Sequence, residues 1–316
     1  MGSATTNAAS TFHHEALFYA GDGEFVDRCR DFVMAGLERD EPVLVMVGSR
    51  KLELLREALG ERARDVRLED MEIVGRNPAR IIPAWARFVA ENARPGGGGM
   101  RGIGEPIWAE REPDELEECQ LHESLINLAF AAANSFRLVC PYDTAALPED
   151  VIAEARASHP VVSDEGAPEP CGDYRGIETV AAKFTEPLSP PPADADELRV
   201  TVDGLRDARE LVRRRACEAG LEGRADDLIL AVNEILSNSL NHAREDGTLH
   251  IWQEDDGLVC EVRDHGHIVQ PLIGRAEPAL GQVGGHGIWL VNLVCDLVQV
   301  RSSEDGSTVR MKMCRS

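Results

Sequence analysis

Glu234, Asn238 and His242 recur at intervals of four residues, so a helix stacks them in one stripe. Leu230, Ile235 and Leu236 are expected on the opposite, apolar face. A carboxamide oxygen in such a stripe can ligate a hard cation such as Mg²⁺. A carboxylate one turn away can take a proton from an attacking hydroxyl. The solvated face of an ordinary amphipathic helix presents the same pattern, so the stripe needs company to mean chemistry. Downstream, Val262-Arg263-Asp264-His265-Gly266 reads as the end of a strand. An Asp there can accept a hydrogen bond from an exocyclic amine while the backbone turns beneath a flat ring. Gly284-Gly285-His286-Gly287 then opens a helix. Glycines at a helix N-terminus let backbone N–H groups approach phosphate oxygens. Gly306-Ser307-Thr308 starts the last strand.

The first half holds weaker candidates. Glu105 and Trp108 sit together near a strand end, and Tyr142 follows another. Cys119, His122 and Glu123 stand at i, i+3 and i+4. That spacing suits metal ligation or an ordinary polar patch on a helix. His13-His14-Glu15 reads as a solvent-facing tract. Gly97, Gly99 and Gly102 match GxGxxG, but they precede a strand instead of following one, so they are assigned to a loop. No GxxxxGK[ST] occurs, which disfavours a P-loop ATPase in this half.

These residues need elements to hold them. In the first half, strand-like runs at 16–19, 42–48, 66–68, 100–107 and 136–141 alternate with helical spacing at 23–39, 49–60, 78–92, 112–134 and 148–158. Ser49 is a candidate N-cap. Strict alternation predicts an α/β domain with a parallel sheet covered on both faces. Thr185–Ala195 carries four Pro in eleven residues, which no helix or strand interior accepts. This stretch is expected to be a stiff linker between a domain at 13–184 and one at 196–316. Beyond it, helical segments at 208–219, 225–241 and 287–295 accompany strands at 198–202, 248–254, 257–264, 297–302 and 307–312. That segregation predicts an α+β sandwich.

Composition narrows the function classes. The net charge is −23 over 316 residues, which disfavours direct binding of nucleic acid or anionic membrane. No apolar run approaches the length of a bilayer span, and Met1–Thr11 lacks the regions of a signal peptide. A cytoplasmic location is the expectation. The eight Cys form no CxxC pair, and reduced thiols fit their scatter better than disulfides do.

Two resemblances gather these signals. The stripe at Glu234–His242, Asp264 with Gly266, Gly284–Gly287 and Gly306–Thr308 resemble the N, G1, G2 and G3 boxes of the GHKL ATPases. With Trp289–Val298, Val300–Ser302 and Thr308–Arg310, the chain is most similar to anti-sigma-factor serine kinases of the RsbW type, over about Arg199–Lys312. The resemblance implies a Bergerat fold holding ATP and Mg²⁺. Glu234 would be the general base and Asn238 the Mg²⁺ ligand. Asp264 would take the adenine amine over Gly266, Gly285 and Gly287 the phosphates, and Thr308 would lie near the adenine. His242 would support the phosphates. The partners implied are an anti-anti-sigma (STAS) protein, a sigma factor and a second copy of the chain. This group usually has DxGxG; Asp264-His265-Gly266-His267-Ile268 departs from it after Gly266, where His267 is followed by Ile268 in place of the second Gly. A side chain there is expected to crowd the nucleotide or alter the lid, which leaves open a nucleotide-binding module that sequesters a partner without fast catalysis. A sensor histidine kinase shares the fold, but the helix at 208–219 carries no phosphoacceptor His.

The first half, about His13–Val162, resembles the MEDS sensory domain. The residues that carry this are His14–Tyr19, Pro42–Met46, Gly102–Trp108, Glu123 with Asn127, Cys140–Asp143 and His159-Pro160. It implies a RecA-like sheet without a working P-loop that senses a small molecule. Glu105, Trp108, Glu123 and Tyr142 are the candidate ligand residues.

Overall fold

Apolar runs too short for helices, each followed by a helical period, build the first unit. The computed structural model describes residues 12–93, 98–133, 135–164, 166–243, 247–278 and 285–315. In chain order the first elements are β1 (His13–Tyr19), α1 (Gly21–Leu37), β2 (Val43–Val47), α2 (Ser49–Leu59), β3 (Arg67–Asp70), α3 (Met71–Val74) and α4 (Ile81–Asn92). They continue with β4 (Met100–Gly104), α5 (Pro113–Ala129), β5 (Phe136–Asp143), α6 (Glu149–Ser158), β6 (Val161–Ser163), β7 (Glu169–Pro170) and α7 (Ile177–Thr185). The seven strands form one sheet in the order β3-β2-β4-β5-β1-β6-β7, parallel except for β7. Parallel strands buried on both faces explain why β2 reads as an unbroken apolar run, Val-Leu-Val-Met-Val.

Helices α1 and α2 cover one face, packing Phe25, Cys29, Val33 and Leu55 onto Leu17, Tyr19, Val45 and Val139. Helices α4, α5 and α6 cover the other. There the Trp85 ring lies flat on the backbone of β4: a Cβ at Gly102 would meet it at 2.7 Å and one at Gly104 at 2.9 Å. Gly102 is therefore a strand glycine making room for an indole, not part of the loop expected from its spacing; Gly97 lies outside the described residues. His14 and Glu15 are buried in β1, against the expected solvent-facing tract. Ser49 is the first residue of α2, behind an N-cap at Gly48, and no side chain caps this helix.

The second unit takes in the end of α7, whose Phe184 joins its core, and continues with β8 (Asp196–Val200), α8 (Leu205–Glu218) and α9 (Ala225–Asn238), which runs into a π turn at Ser239–Ala243. It continues with β9 (Gly247–Gln253), β10 (Gly257–Asp264), α10 (His286–Val294), β11 (Leu297–Ser303) and β12 (Gly306–Cys314). The strands form an antiparallel sheet in the order β11-β12-β10-β9-β8. Its inner face packs Leu249, Ile251, Cys260, Val262, Val309 and Met311 against Val212, Ala216, Leu228, Val232, Ile235 and Val291. Leu230 stays 38% exposed, so it is not on the apolar face of α9 expected for it. On the outer face, both oxygens of the buried Glu261 are taken, by Arg263 at 2.6 Å and Arg310 at 2.8 Å. Arg310 also donates to the carbonyl of Ser189, which ties the Pro-rich stretch to this face. The chain divides into its two compact units near Val180, and the short segment Arg76–Pro83 belongs to the second.

All eight cysteines are free thiols, five of them buried. No described helix is long and apolar enough to cross a membrane.

Candidate nucleotide site and sensory cavity

The second unit gathers its polar stripe on one wall of a cavity. The inward side of α9 is fixed by the buried Leu228, Ala231, Val232, Ile235 and Leu236. That packing leaves Glu234 and Asn238 half-buried on the adjoining side. Asp226 and Asp227 sit in the first turn of α9, where carboxylates complement the helix dipole. The π turn follows Asn238 directly and re-aims the backbone at Ser239.

Asp264 ends β10 and is held from three sides. Its Oδ1 accepts from the Gly266 N–H at 2.8 Å and from Ser307 Oγ at 2.6 Å, and its Oδ2 accepts from Ser239 Oγ. A carboxylate has about four lone-pair directions, so three donors fix its rotamer and leave capacity for one more. Opposite it, Gly285 adopts φ +83° as the N-cap of α10, a left-handed conformation that only Gly takes at little cost. Gly287 lies so close to α9 that an added Cβ would meet Asn238 Nδ2 at 2.8 Å and Glu234 Oε2 at 3.2 Å. The cavity between them is about 530 Å³, lined by Asn238, Asp264, Gly266, Gly285 and Gly287 with the apolar Ile235, Ile268, Ile273, Ile288 and Val309. Apolar walls with a few convergent polar groups are what a flat heteroaromatic ring with a charged tail requires.

In the first unit, a cavity of about 480 Å³ opens at the carboxyl ends of the parallel strands. That is where open α/β sheets bind ligands. Glu105 and Trp108, just after β4, line it with Lys51, Arg50, Asp143 and Asp22. Lys51 Nζ reaches Glu105 Oε1 and the Tyr19 hydroxyl, both at 2.5 Å, and Tyr19 donates to the same oxygen at 2.8 Å. Burial pushes the Glu105 carboxyl above the ordinary carboxylate range, against the pull of Lys51.

Known proteins resemble each unit separately. Residues 13–160 match the family described as methanogen/methylotroph, DcmR sensory domain (MEDS). Residues 194–313 match the histidine kinase-like ATPase domain. The chain joins a MEDS domain to a histidine kinase-like ATPase domain. Among solved structures, the RsbU and RsbW domains of a Mycobacterium tuberculosis protein align at 15% identity with a TM-score of 0.28, over 40% of this chain. This chain spans about a third (33%) of that structure's length. No curated protein matches it.

The ATPase domain brings Asn238, Asp264, Gly266, Gly285 and Gly287 to one cavity, with Glu234 beside Gly287. Thr308 is not among them. It turns to the other face of β12 and lines a separate hollow with Thr248, Arg263 and Arg301. Its neighbour Ser307 points inward to Asp264 instead. The His242 side chain and Gly284 lie outside the described residues, as does the lid stretch from residue 279. His267 lines the cavity rim, and its Nδ1–H donates to the Ser303 carbonyl at 2.9 Å, which tethers the ring to the end of β11. Ser239 and Ser307, which hold Asp264, are the cavity positions that motif reading missed. For Ser307 a signal was present: Ser307, Val309, Met311 and Met313 alternate, so strand parity puts Ser307 on the core side and Thr308 outside.

The MEDS candidates separate into two places. Glu105 and Trp108 line the strand-end cavity, whereas Glu123 and Tyr142 are buried behind the sheet. Glu123 does not share a site with Cys119 and His122. Cys119 donates to the Pro106 carbonyl, and Glu123 faces His14, Cys140 and His159.

Proposed function

We propose that the ATPase domain binds ATP with Mg²⁺, phosphorylates a serine of an anti-anti-sigma (STAS) protein, and holds a sigma factor when that partner is phosphorylated. The convergence of Asn238, Asp264 and the Gly285–Gly287 corner on one cavity, with Glu234 beside Gly287, carries this reading. The fit of the nucleotide rests on three features of the cavity. Its volume suits a nucleotide, Asp264 keeps one acceptor direction open, and the close approach of Gly287 to Asn238 leaves α10 N–H groups bare of side chains. Asp264 would accept from the adenine amine, the Gly285–Gly287 amides would take the phosphates, and the Asn238 carboxamide oxygen would ligate Mg²⁺. Bound ATP supplies the phosphoryl group, with Mg²⁺ neutralising its charge. The chain's own task is positioning: α9 holds the Glu234 carboxylate beside the phosphate corner, where it can accept the serine hydroxyl proton.

The MEDS domain is proposed to sense a small polar molecule through Glu105, Trp108 and Lys51, and to bias partner binding. Such bias requires different ligand affinity in two states of the protein. The Pro-rich 185–195 stretch is taken as the boundary between the two functions. Incubation of the full chain with labelled ATP and STAS partners tests the kinase. Glu234→Ala should keep ATP binding and lose transfer; undiminished transfer would remove Glu234 as the base.

One observation favours a second reading. Ile268 lines the cavity where related ATPases have glycine, with His267 beside it, which suits a domain that holds nucleotide and sequesters a partner without turnover. Tight ATP binding with no transfer to any STAS partner would decide for it, and Ile268→Gly should then raise turnover.

A further inference from the structure

Four buried side chains from four different elements meet behind the central strands of the MEDS domain. They are His14 on β1, Cys140 on β5, Glu123 on α5 and His159 just after α6, none more than 2% exposed. His14 Nε2 lies 3.1 Å from Glu123 Oε2 and 3.3 Å from Cys140 Sγ. Glu123 Oε2 lies 3.4 Å from Cys140 Sγ and 3.3 Å from His159 Nε2. One ligand atom from each of the four falls within 4.8 Å of the others.

The surrounding hydrogen bonds fix both imidazole tautomers. Asn127 donates its amide to the carbonyls of Glu123 and Ser158, so its Oδ1 must face His14. That oxygen only accepts, so His14 Nδ1, 3.0 Å away, carries the proton. His159 Nδ1 likewise donates to the Ala155 carbonyl at 2.8 Å. Both rings, when neutral, therefore turn a bare Nε2 lone pair toward the same carboxylate. Lone pairs, a carboxylate and a thiol crowd one dry space, and neither His159 Nε2 nor Glu123 Oε1 has a hydrogen bond. A single thiol proton cannot reconcile four acceptors, and burying that mismatch is costly.

We propose that His14, Glu123, Cys140 and His159 ligate one divalent transition-metal ion of the zinc class. The donor set is two imidazole nitrogens, one sulfur and one carboxylate oxygen, a borderline-soft combination that suits Zn²⁺. With metal–ligand bonds of about 2.0–2.3 Å, a tetrahedron has edges of about 3.3–3.8 Å. The four short contacts lie at or just below that range. On binding, the Cys140 thiol releases its proton to solvent. Thiolate and carboxylate then balance the ion's charge with both imidazoles neutral, which leaves no net charge in the core. Asn127 and the Ala155 carbonyl already hold the outer N–H of each imidazole, as metal-bound histidines require. Four protein ligands without solvent exposure make the site closed and structural, linking β1, β5, α5 and the end of α6.

The test uses the full-length chain. As purified from zinc-supplemented medium it should contain one zinc per chain by elemental mass spectrometry. After chelation, Co²⁺ should bind one equivalent, with a thiolate-to-cobalt charge-transfer band and the visible bands of tetrahedral cobalt. Zinc should then bleach both. Replacing the three cysteines with solvent exposure, Cys171, Cys217 and Cys314, should leave the spectrum intact, whereas Cys140→Ser should abolish the charge-transfer band. A folded wild-type chain with neither stoichiometric metal nor a tetrahedral cobalt spectrum would overturn the proposal. So would a spectrum lost with the three exposed cysteines. Both results are read on the wild-type core, so they stand even if Cys140→Ser fails to fold.

Discussion

Asp264 and Gly287 do opposite work at the nucleotide cavity. Asp264 offers a charge, held by Ser239, Ser307 and the Gly266 amide. Gly287 offers the absence of a side chain. A Cβ 2.8 Å from Asn238 Nδ2 cannot be accommodated without moving α10 or rotating the carboxamide. Gly287→Ala should therefore lower ATP affinity about tenfold or more in a calorimetric titration, a loss of at least about 1.4 kcal/mol. The MEDS domain's melting should not move. Motif order along the chain made Glu234, Asn238, Asp264 and the glycines legible, because they follow one another along α9, at the end of β10 and at the start of α10. The His14–Glu123–Cys140–His159 cluster was not legible. Its members are separated by up to 145 residues with no repeating interval, and only the strand order brings β1 beside β5.

Elements were readable where one face is dry and the period is clear. The apolar run of β2 and the alternation along β10 both stand where the sequence puts them. Reading failed where tertiary packing decides. Gly102 looks like loop punctuation until Trp85 lies on it, and β6, β7 and α7 follow a Pro-containing stretch with no clean period. The pairing of Trp85 with Gly102 and Gly104 gives a direct prediction. Trp85→Ala leaves a hole over β4 that no neighbouring strand side chain can fill. It should cost about 3–5 kcal/mol of MEDS-domain stability in denaturant unfolding. A loss under about 1 kcal/mol would mean that α4 collapses onto the sheet.

For the molecule as a whole, two units with separate cores allow ligands to act on one unit at a time. ATP with Mg²⁺ at a hundred times its Kd should stabilise the ATPase domain by about 2.7 kcal/mol. Removal of the proposed metal should instead lower the MEDS transition and leave ATP affinity unchanged. Differential scanning calorimetry of the full chain reads both. A chelator that leaves every transition in place would contradict a structural metal. The Pro-rich stretch and the change of element pattern across it make the two-domain plan visible in the sequence; which surfaces the domains offer to partners depends on three-dimensional patches that no linear motif records.

The most direct test of the central claim is calorimetric titration of ATP with Mg²⁺ into the full chain and its Asp264→Asn variant. One saturable site in the wild type is expected, weakened at least about tenfold in the variant, as the loss of a charged hydrogen-bond acceptor requires. No saturable binding by the folded wild type, or equal affinity in both proteins, would contradict the nucleotide cavity.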